Sequence, residues 1–124
     1  MSSENLHESR EELSDSTVER HRAYTSLIEE LEAADWYQQR ADACGDAQLK
    51  AILEHNRDEE LEHAAMVLEW LRRDVPKLDE MLRKYLFTSS NIVRIEEADE
   101  AEKGRGKGSP IAGLKIGNLR GMGD

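Results

Sequence analysis

A glutamate and a histidine one helical turn apart form the most chemically suggestive pair in the chain. Glu60 and His63 lie within Leu49 to Leu71, a stretch with the apolar periodicity of one amphipathic helix. Side chains three residues apart project side by side from a helix, so a carboxylate oxygen and an imidazole nitrogen could bind one cation. Glu60, His63 and Asn56 all lie within the apolar sector of this helix. An unpaired carboxylate that is buried there costs several kcal/mol, so Glu60 should have a partner. The placement of the pair therefore favours a metal site.

The same spacing also has a plainer interpretation. A core histidine held by a neighbouring glutamate would give an identical pattern, and Glu4 and His7 repeat the spacing in a segment without an apolar stripe. The spacing alone is weak, so the metal hypothesis depends on where the pair lies in the helix.

An earlier helix carries further candidate residues. The capping-box spacing from Ser16 to Glu19 predicts that it begins at Ser16, and it should run to about Ala43. Glu30 lies on one flank of this helix among small residues, which leaves room for a partner. Tyr37, two turns later, could hydrogen-bond the Glu30 carboxylate or a water on a metal, although an ordinary boundary aromatic would look the same.

A different face of the first helix carries Glu29, Glu32 and Trp36 at positions i, i+3 and i+7. Two carboxylates beside an exposed indole could attract cations and guide them inward. The alternative is a solvated acidic face with no binding role.

The fold class follows from composition and breaks in periodicity. The 124 residues are rich in helix formers and suffice for one small all-α domain. Gly45 is predicted to end the first helix in a left-handed conformation and Asp46 to cap the second. So short a turn makes the two helices an antiparallel hairpin. A short helix capped by Asp74 should follow, and then a weakly amphipathic helix over residues 92–102.

The domain organisation is read from the ends of the helical region. Residues 1–15 are predicted to be a disordered arm, and 16–102 the helical domain. Residues 103–112 contain the glycine-rich run GRGKGSP, which predicts a flexible linker. Residues 113–124 are apolar again, and their composition suits an extended peptide that docks into another protein's groove.

The charge distribution limits the possible partners. Residues 1–103 hold 13 Lys and Arg against 26 Asp and Glu, whereas 104–124 hold four basic residues and one acid. An acidic body disfavours nucleic acid and favours cations. The sequence contains neither an apolar run of membrane-spanning length nor a signal peptide, so we expect a soluble cytoplasmic protein. Cys44 is the single cysteine and permits no internal disulfide.

The candidate ligands amount to half of a known set. Di-iron carboxylate proteins with a four-helix core use one Glu from each of two helices and a Glu-x-x-His pair from each of the others. Here one helix offers Glu30 and the other offers Glu60 and His63. A hairpin also leaves half of its apolar stripe uncovered. A two-fold dimer would remove both deficits, completing a four-helix bundle around two metal ions only on dimerisation.

The donor set indicates which chemistry such a site could perform. Four carboxylates and two imidazoles suit octahedral divalent metals that accept oxygen and nitrogen ligands. Iron would allow oxidation of two Fe(II) ions by O₂ or peroxide. Zinc, manganese or cobalt could occupy the same cage without turnover.

Three segments resemble one family, the encapsulated ferritins, which are ferritin-like proteins carried as cargo inside encapsulin nanocompartments. The segments are LIEELEAADWY from Leu27, HNRDEELEHAAMVLEWLRR from His55 and YLFT from Tyr85. The resemblance implies a di-iron centre with two iron ions per subunit pair. The residues that it assigns to the centre are Glu30, Glu60 and His63, with Tyr37 beside them. It also implies an outer metal-uptake site, where calcium or another divalent cation could bind, at Glu29, Glu32 and Trp36.

The resemblance further implies a ring-shaped homodecamer of five dimers with ferroxidase activity and no storage cavity of its own. Iron would be mineralised inside the encapsulin shell. The tail GLKIGNLRGM is similar to cargo-loading peptides, although Asn118 stands where a serine is frequent.

Two other functions fit the residues less fully. A non-catalytic helical adaptor could dimerise around structural zinc, and it would bind metal without turnover. A metal buffer could hold many cations on its acidic faces, and its binding would survive the loss of His63.

Overall fold

The computed structural model describes residues 5–106, and every regular element among them is helical. A 3-10 turn, Arg10–Glu12, precedes four α-helices, which are α1 (Asp15–Ala43), α2 (Ala47–Asp74), α3 (Pro76–Tyr85) and α4 (Ile92–Gly106). The all-α prediction is thus confirmed. The predicted C-terminal peptide, 113–124, lies outside the described residues. No helix within the described part of the chain is long and apolar enough to span a membrane.

Helices α1 and α2 form the predicted antiparallel hairpin. Arg20 pairs with Asp74, Glu30 lies beside His63, and Gln38 pairs with Arg57. Residue numbers rise along α1 as those of their partners fall along α2. This arrangement brings the middles of both helices together, which is where the candidate ligands lie.

The ends of the two helices differ in part from the prediction. Ser14, not Ser16, is the N-cap of α1, because its extended backbone lets its Oγ accept the Thr17 N–H at 3.1 Å. No described glycine has a positive φ, so the left-handed stop predicted at Gly45 is wrong, and extended Cys44 ends α1 instead. Asp46 does cap α2, since its Oδ2 accepts the Leu49 N–H at 2.8 Å.

A charged clasp closes the open end of the hairpin. Arg20 donates from Nε to Asp74 Oδ2 at 2.8 Å and from Nη2 to the Asp74 main-chain oxygen at 2.6 Å. The second bond satisfies one of the carbonyl groups that a helix leaves unpaired at its C-terminus. Asp74 therefore ends α2. The prediction that Asp74 caps α3 is wrong. Val75 is the N-cap of α3 and makes no side-chain cap bond.

The hairpin buries few large side chains. Leu71 is fully buried, and most of the other buried apolar residues are small, namely Ala34, Ala41, Ala64 and Val18. Many larger apolar side chains of α1 and α2 are 43 to 64% exposed in the single chain, namely Tyr24, Ile28, Leu31, Leu49, Ile52, Leu61, Met66 and Trp70. Because exposed apolar patches on this scale are unusual for a stable monomer, the hairpin has the surface of a protein that associates.

The described residues from 75 to 106 belong to a second compact unit. Within it, Lys84 of α3 donates to Asp99 Oδ2 of α4 at 2.8 Å, and both side chains are about 5% exposed. Burial is the largest single influence and lowers the pKa of Lys84, but the hydrogen bonds and charges of Asp99 and Tyr85 together outweigh it, so the pKa lies above the ordinary 10.5. Helix α4 continues to Gly106, so its last turn lies in the segment predicted as linker.

The turn between α3 and α4 holds one non-glycine residue in a left-handed conformation. Phe87 has a φ of 61° and its side chain is 94% exposed. Such a backbone costs about 1–2 kcal/mol for an L-residue. The neighbouring Thr88 fixes the turn, because its Oγ1 donates to the Tyr85 carbonyl at 2.8 Å.

We predict that Asp99→Asn loosens α4, because it leaves the buried Lys84 ammonium without its carboxylate. Breaking one side of a buried ion pair costs about 3–5 kcal/mol, so amide hydrogen exchange over residues 92–106 should become much faster. Glu100→Gln, an exposed change on the same helix, is the matched control. Because the pKa of Lys84 is raised, the pair stabilises the unit below the ordinary lysine pKa and is lost only as the pH rises through the raised value. Unchanged exchange in Asp99→Asn would contradict this role.

Candidate metal centre

The middles of α1 and α2 bring three predicted ligands together. Glu30 lies halfway along α1, and Glu60 and His63 occupy adjacent turns of α2. Side chains three residues apart on a helix face the same way. The antiparallel packing of the hairpin then places Glu30 opposite this pair.

Two carboxylates flank one imidazole nitrogen in this cluster. His63 Nδ1 lies 3.3 Å from Glu30 Oε2 and 3.4 Å from Glu60 Oε1. One ligand atom from each of the three residues can be chosen so that all lie within 4.8 Å of one another. This spacing lets a single cation contact all three.

The Glu30 carboxylate has unused acceptor capacity. Its Oε2 atom is buried and receives no hydrogen bond within the described part of the chain. The contact with His63 Nδ1 is close, but its geometry is not that of a hydrogen bond. Because a buried carboxylate oxygen normally has a partner, this atom favours a bound cation at the cluster.

The charges within the cluster oppose one another. The pKa of Glu30 is raised, first because its protonated form can share a hydrogen bond with Glu60, and then because of burial and the Glu60 charge. Burial lowers the pKa of His63, but the two carboxylates outweigh it and the net shift is upward. By contrast, bonds from Arg72 and Arg73 lower the pKa of Glu69 to about 2. Glu30 therefore differs from a carboxylate that the chain already neutralises.

The donor set fits a divalent metal ion. Two carboxylates and one imidazole are ligands that iron, manganese, cobalt and zinc accept, and a cation would relieve the repulsion between Glu30 and Glu60. With one ligand atom from each residue, three donors leave half of the positions of an octahedral ion unfilled. The single chain thus provides part of a coordination sphere.

Tyr37 is half-buried and lies seven residues, or about two helical turns, beyond Glu30 on α1. The guanidinium of Arg40 lies 5.4 Å from the centre of its ring. In the described residues, the Tyr37 hydroxyl makes no hydrogen bond to Glu30, so its place at a metal stays a prediction.

The predicted outer site is separate from the three-residue cluster. Trp36 is 50% exposed and lines a shallow surface groove with Gln39 and Arg40. Glu32 is exposed and Glu29 is half-buried. A cation-guiding role for Glu29, Glu32 and Trp36 stays a prediction.

One contact near the cluster escaped the sequence reasoning. Arg57 donates from Nη1 to Gln38 Oε1 at 2.7 Å, joining α2 to α1. The sequence held a signal for it, since Arg57 borders the apolar sector of α2 one turn before Glu60. A cross-helix partner for that arginine could have been sought on α1.

We predict that Glu30→Gln makes the metal-free protein more stable, because it removes a partly buried charge that lies beside Glu60. The melting temperature in the presence of a chelator should rise by a few degrees at a pH above the raised pKa of His63. Glu32→Gln removes an exposed charge from the same helix and should leave the melting temperature unchanged. A lower melting temperature in Glu30→Gln would show that the native cluster does not store this repulsion.

Comparison with known proteins shows the same helical region in close relatives. The chain is 56% identical over 127 residues to a Rhodospirillum rubrum protein described as an encapsulated ferritin-like protein, covering 97% of this chain and 91% of the relative. It is 60% identical over 76 residues to a ferritin-like protein of Thermotoga maritima, covering 61% of this chain and 67% of the relative.

The fold of the chain is also similar to that of a solved protein structure. A crystal structure of a Nitrosomonas europaea protein superposes with a TM-score of 0.69 at 58% identity, covering 72% of this chain and 98% of that one. The model of the EncFtn-like family matches residues 5–89, which include the whole hairpin and all three clustered ligands. The chain therefore belongs to the EncFtn-like family.

Proposed function

We propose that this protein is a ferroxidase that oxidises Fe(II) to Fe(III) at a di-iron centre shared by two copies of the chain. The observation that carries the proposal is the cluster of Glu30, Glu60 and His63, with a buried Glu30 oxygen that has no hydrogen-bond partner in the described residues. Membership of a family that includes ferritin-like relatives supports iron as the metal.

The need for two copies rests on two independent deficits. One chain supplies three ligands, whereas a pair supplies four carboxylates and two imidazoles, the set used by ferritin-like di-iron proteins. One chain also leaves apolar residues of both hairpin helices half exposed, among them Ile28 and Leu61. A two-fold pairing of hairpins would cover these faces and complete a four-helix bundle in one step.

The residues of the cluster account for the direction of the chemistry. Two Fe(II) substrate ions give up one electron each, and with two protons these electrons reduce O₂ to hydrogen peroxide or peroxide to water. The glutamates stabilise the more highly charged ferric product because they are anionic. In the metal-free chain, His63 Nδ1 lies 3.3 Å from Glu30 Oε2 and 3.4 Å from Glu60 Oε1, so the ligands lie close together before iron arrives.

We also propose roles for the outer acidic residues of α1 and for Tyr37. Glu29, Glu32 and Trp36 would collect Fe(II), calcium or another divalent cation at the surface and pass iron inward. Tyr37 would lie beside the centre once two copies meet.

The description of one relative as encapsulated supports a location for the reaction inside a protein shell. We place the protein in the cytoplasm, inside an encapsulin shell, where residues 113–124 would bind the inner wall. Assembly as a decamer of five dimers would present several centres within the shell. Ferric iron released there would mineralise and be stored.

We predict that Glu30→Ala, Glu60→Ala and His63→Ala each reduce Fe(II) oxidation to the rate in buffer, because each removes a ligand from both halves of the shared centre. Glu32→Ala and Trp36→Ala should slow the reaction without abolishing it. The rate of Fe(II) oxidation is measured by the absorbance of Fe(III) after adding anaerobically prepared Fe(II), together with the consumption of O₂ or peroxide.

Glu62→Ala is the matched control, because it changes an exposed glutamate between two ligands of α2 and should keep the full rate. Full activity in His63→Ala would refute the proposed site, and metal binding without turnover by the native chain would favour the adaptor.

We predict that deletion of Gly113 to Asp124 leaves the oxidation rate unchanged and abolishes loading into the shell. The reason is that the clustered ligands lie in the hairpin, whereas the deleted residues are the proposed docking peptide. Co-expression with encapsulin followed by purification of intact shells measures loading, with the full chain as control. Capture of the truncated chain at the level of the full chain would refute the targeting role.

A further inference from the structure

We propose that Arg57 and Gln38 are positioning residues for the metal centre, an inference that rests on the proposed function. Their side chains join α2 to α1 and hold the register in which Glu30 faces Glu60 and His63. Neither residue is a ligand in the cluster. They would act on metal binding through the geometry of the ligands.

The contact is part of a chain of four hydrogen-bonded side chains that crosses the hairpin. Gln38 donates from Nε2 to Asp42 Oδ1 at 2.8 Å, which leaves its Oε1 to accept from Arg57 Nη1 at 2.7 Å. Arg57 also donates from Nε to Asp58 Oδ1 at 2.9 Å. Asp42 thus fixes the orientation of the amide, and Asp58 fixes the plane of the guanidinium.

The contact between Arg57 and Gln38 lies close enough along both helices to affect the positions of the ligands. Arg57 lies one helical turn before Glu60, and Gln38 lies eight residues, or about 12 Å, beyond Glu30. The clasp between Arg20 and Asp74 lies on the other side of the cluster. The ligands are therefore held between two polar contacts that join the same pair of helices.

The apolar packing between the helices is poorly suited to fixing this register. Ala34, Ala41 and Ala64 are buried along the hairpin, and their methyl groups offer little shape to interlock. A directional hydrogen bond from a guanidinium, whose side chain is only 26% exposed, resists sliding and rotation much better.

The ligand cluster itself opposes close approach of the helices when no metal is bound. The carboxylates of Glu30 and Glu60 lie 3.3 and 3.4 Å from the same His63 Nδ1 atom, and like charges this close together repel each other. Something outside the cluster must therefore keep the ligands together. Within the described residues, the contact between Arg57 and Gln38 supplies a cross-helix hydrogen bond on the Gly45 side of the cluster.

The test is Co(II) binding by the full-length chain, followed by visible absorption, which reports both affinity and ligand geometry. Arg57→Met and Gln38→Leu should weaken Co(II) binding by about 10-fold or more, as loss of groups that orient metal ligands commonly does, and should change the shape of the absorption bands. Gln38→Glu keeps an acceptor for Arg57 but loses the bond to Asp42, so it should bind Co(II) more tightly than Gln38→Leu does. Circular dichroism and native mass spectrometry confirm that helix content and copy number match the native chain.

Arg73→Met is the matched control, because Arg73 lies on the same helix and pairs with Glu69 one turn away on α2. It should leave Co(II) affinity within about 2-fold of native, as expected for a distant exposed charge. Native Co(II) binding in both Arg57→Met and Gln38→Leu overturns the inference, and so does an equal loss in Arg73→Met. Failure of the native chain to bind Co(II) would instead remove the proposed metal centre, and the positioning role with it.

Discussion

The closeness of two glutamates to one histidine, away from full solvation, is the constraint on which the structure depends. Glu30 and Glu60 come from different helices and lie within contact distance of the same imidazole nitrogen. Like charges at this range destabilise the folded chain unless a proton or a cation intervenes. The raised pKa of Glu30 expresses that cost. A site that is unfavourable when empty is a site that gains most when a metal binds.

The hairpin around the cluster also lacks a partner, because many of its apolar side chains are not covered. Its buried apolar residues are mostly small, whereas larger ones such as Leu31 and Ile52 are about half exposed. Apolar burial and ligand number are independent properties, yet both are incomplete in the single chain. Pairing of two copies is the single change that would satisfy both, and we regard assembly and metal binding as coupled for that reason.

Much of the fold and the cluster could be predicted from the sequence. The positions of Glu30, Glu60 and His63 follow from helical periodicity, and their meeting follows from the antiparallel turn near Asp46. The ends of the helices were less predictable, because Ser14 and Ser16 can both form a cap and only the local backbone decides between them. The ion pair between Lys84 and Asp99 was also missed, since periodicity does not reveal which charges become buried together.

The central claim is that one chain holds half of a two-metal centre. Native mass spectrometry of the protein titrated with Fe(II) tests it most directly, because it reports copy number and bound metal in the same ion. The account predicts two iron ions for every pair of chains, bound only by assemblies that contain paired copies. Stoichiometric iron binding by a stable single chain, retained at native affinity, would contradict it.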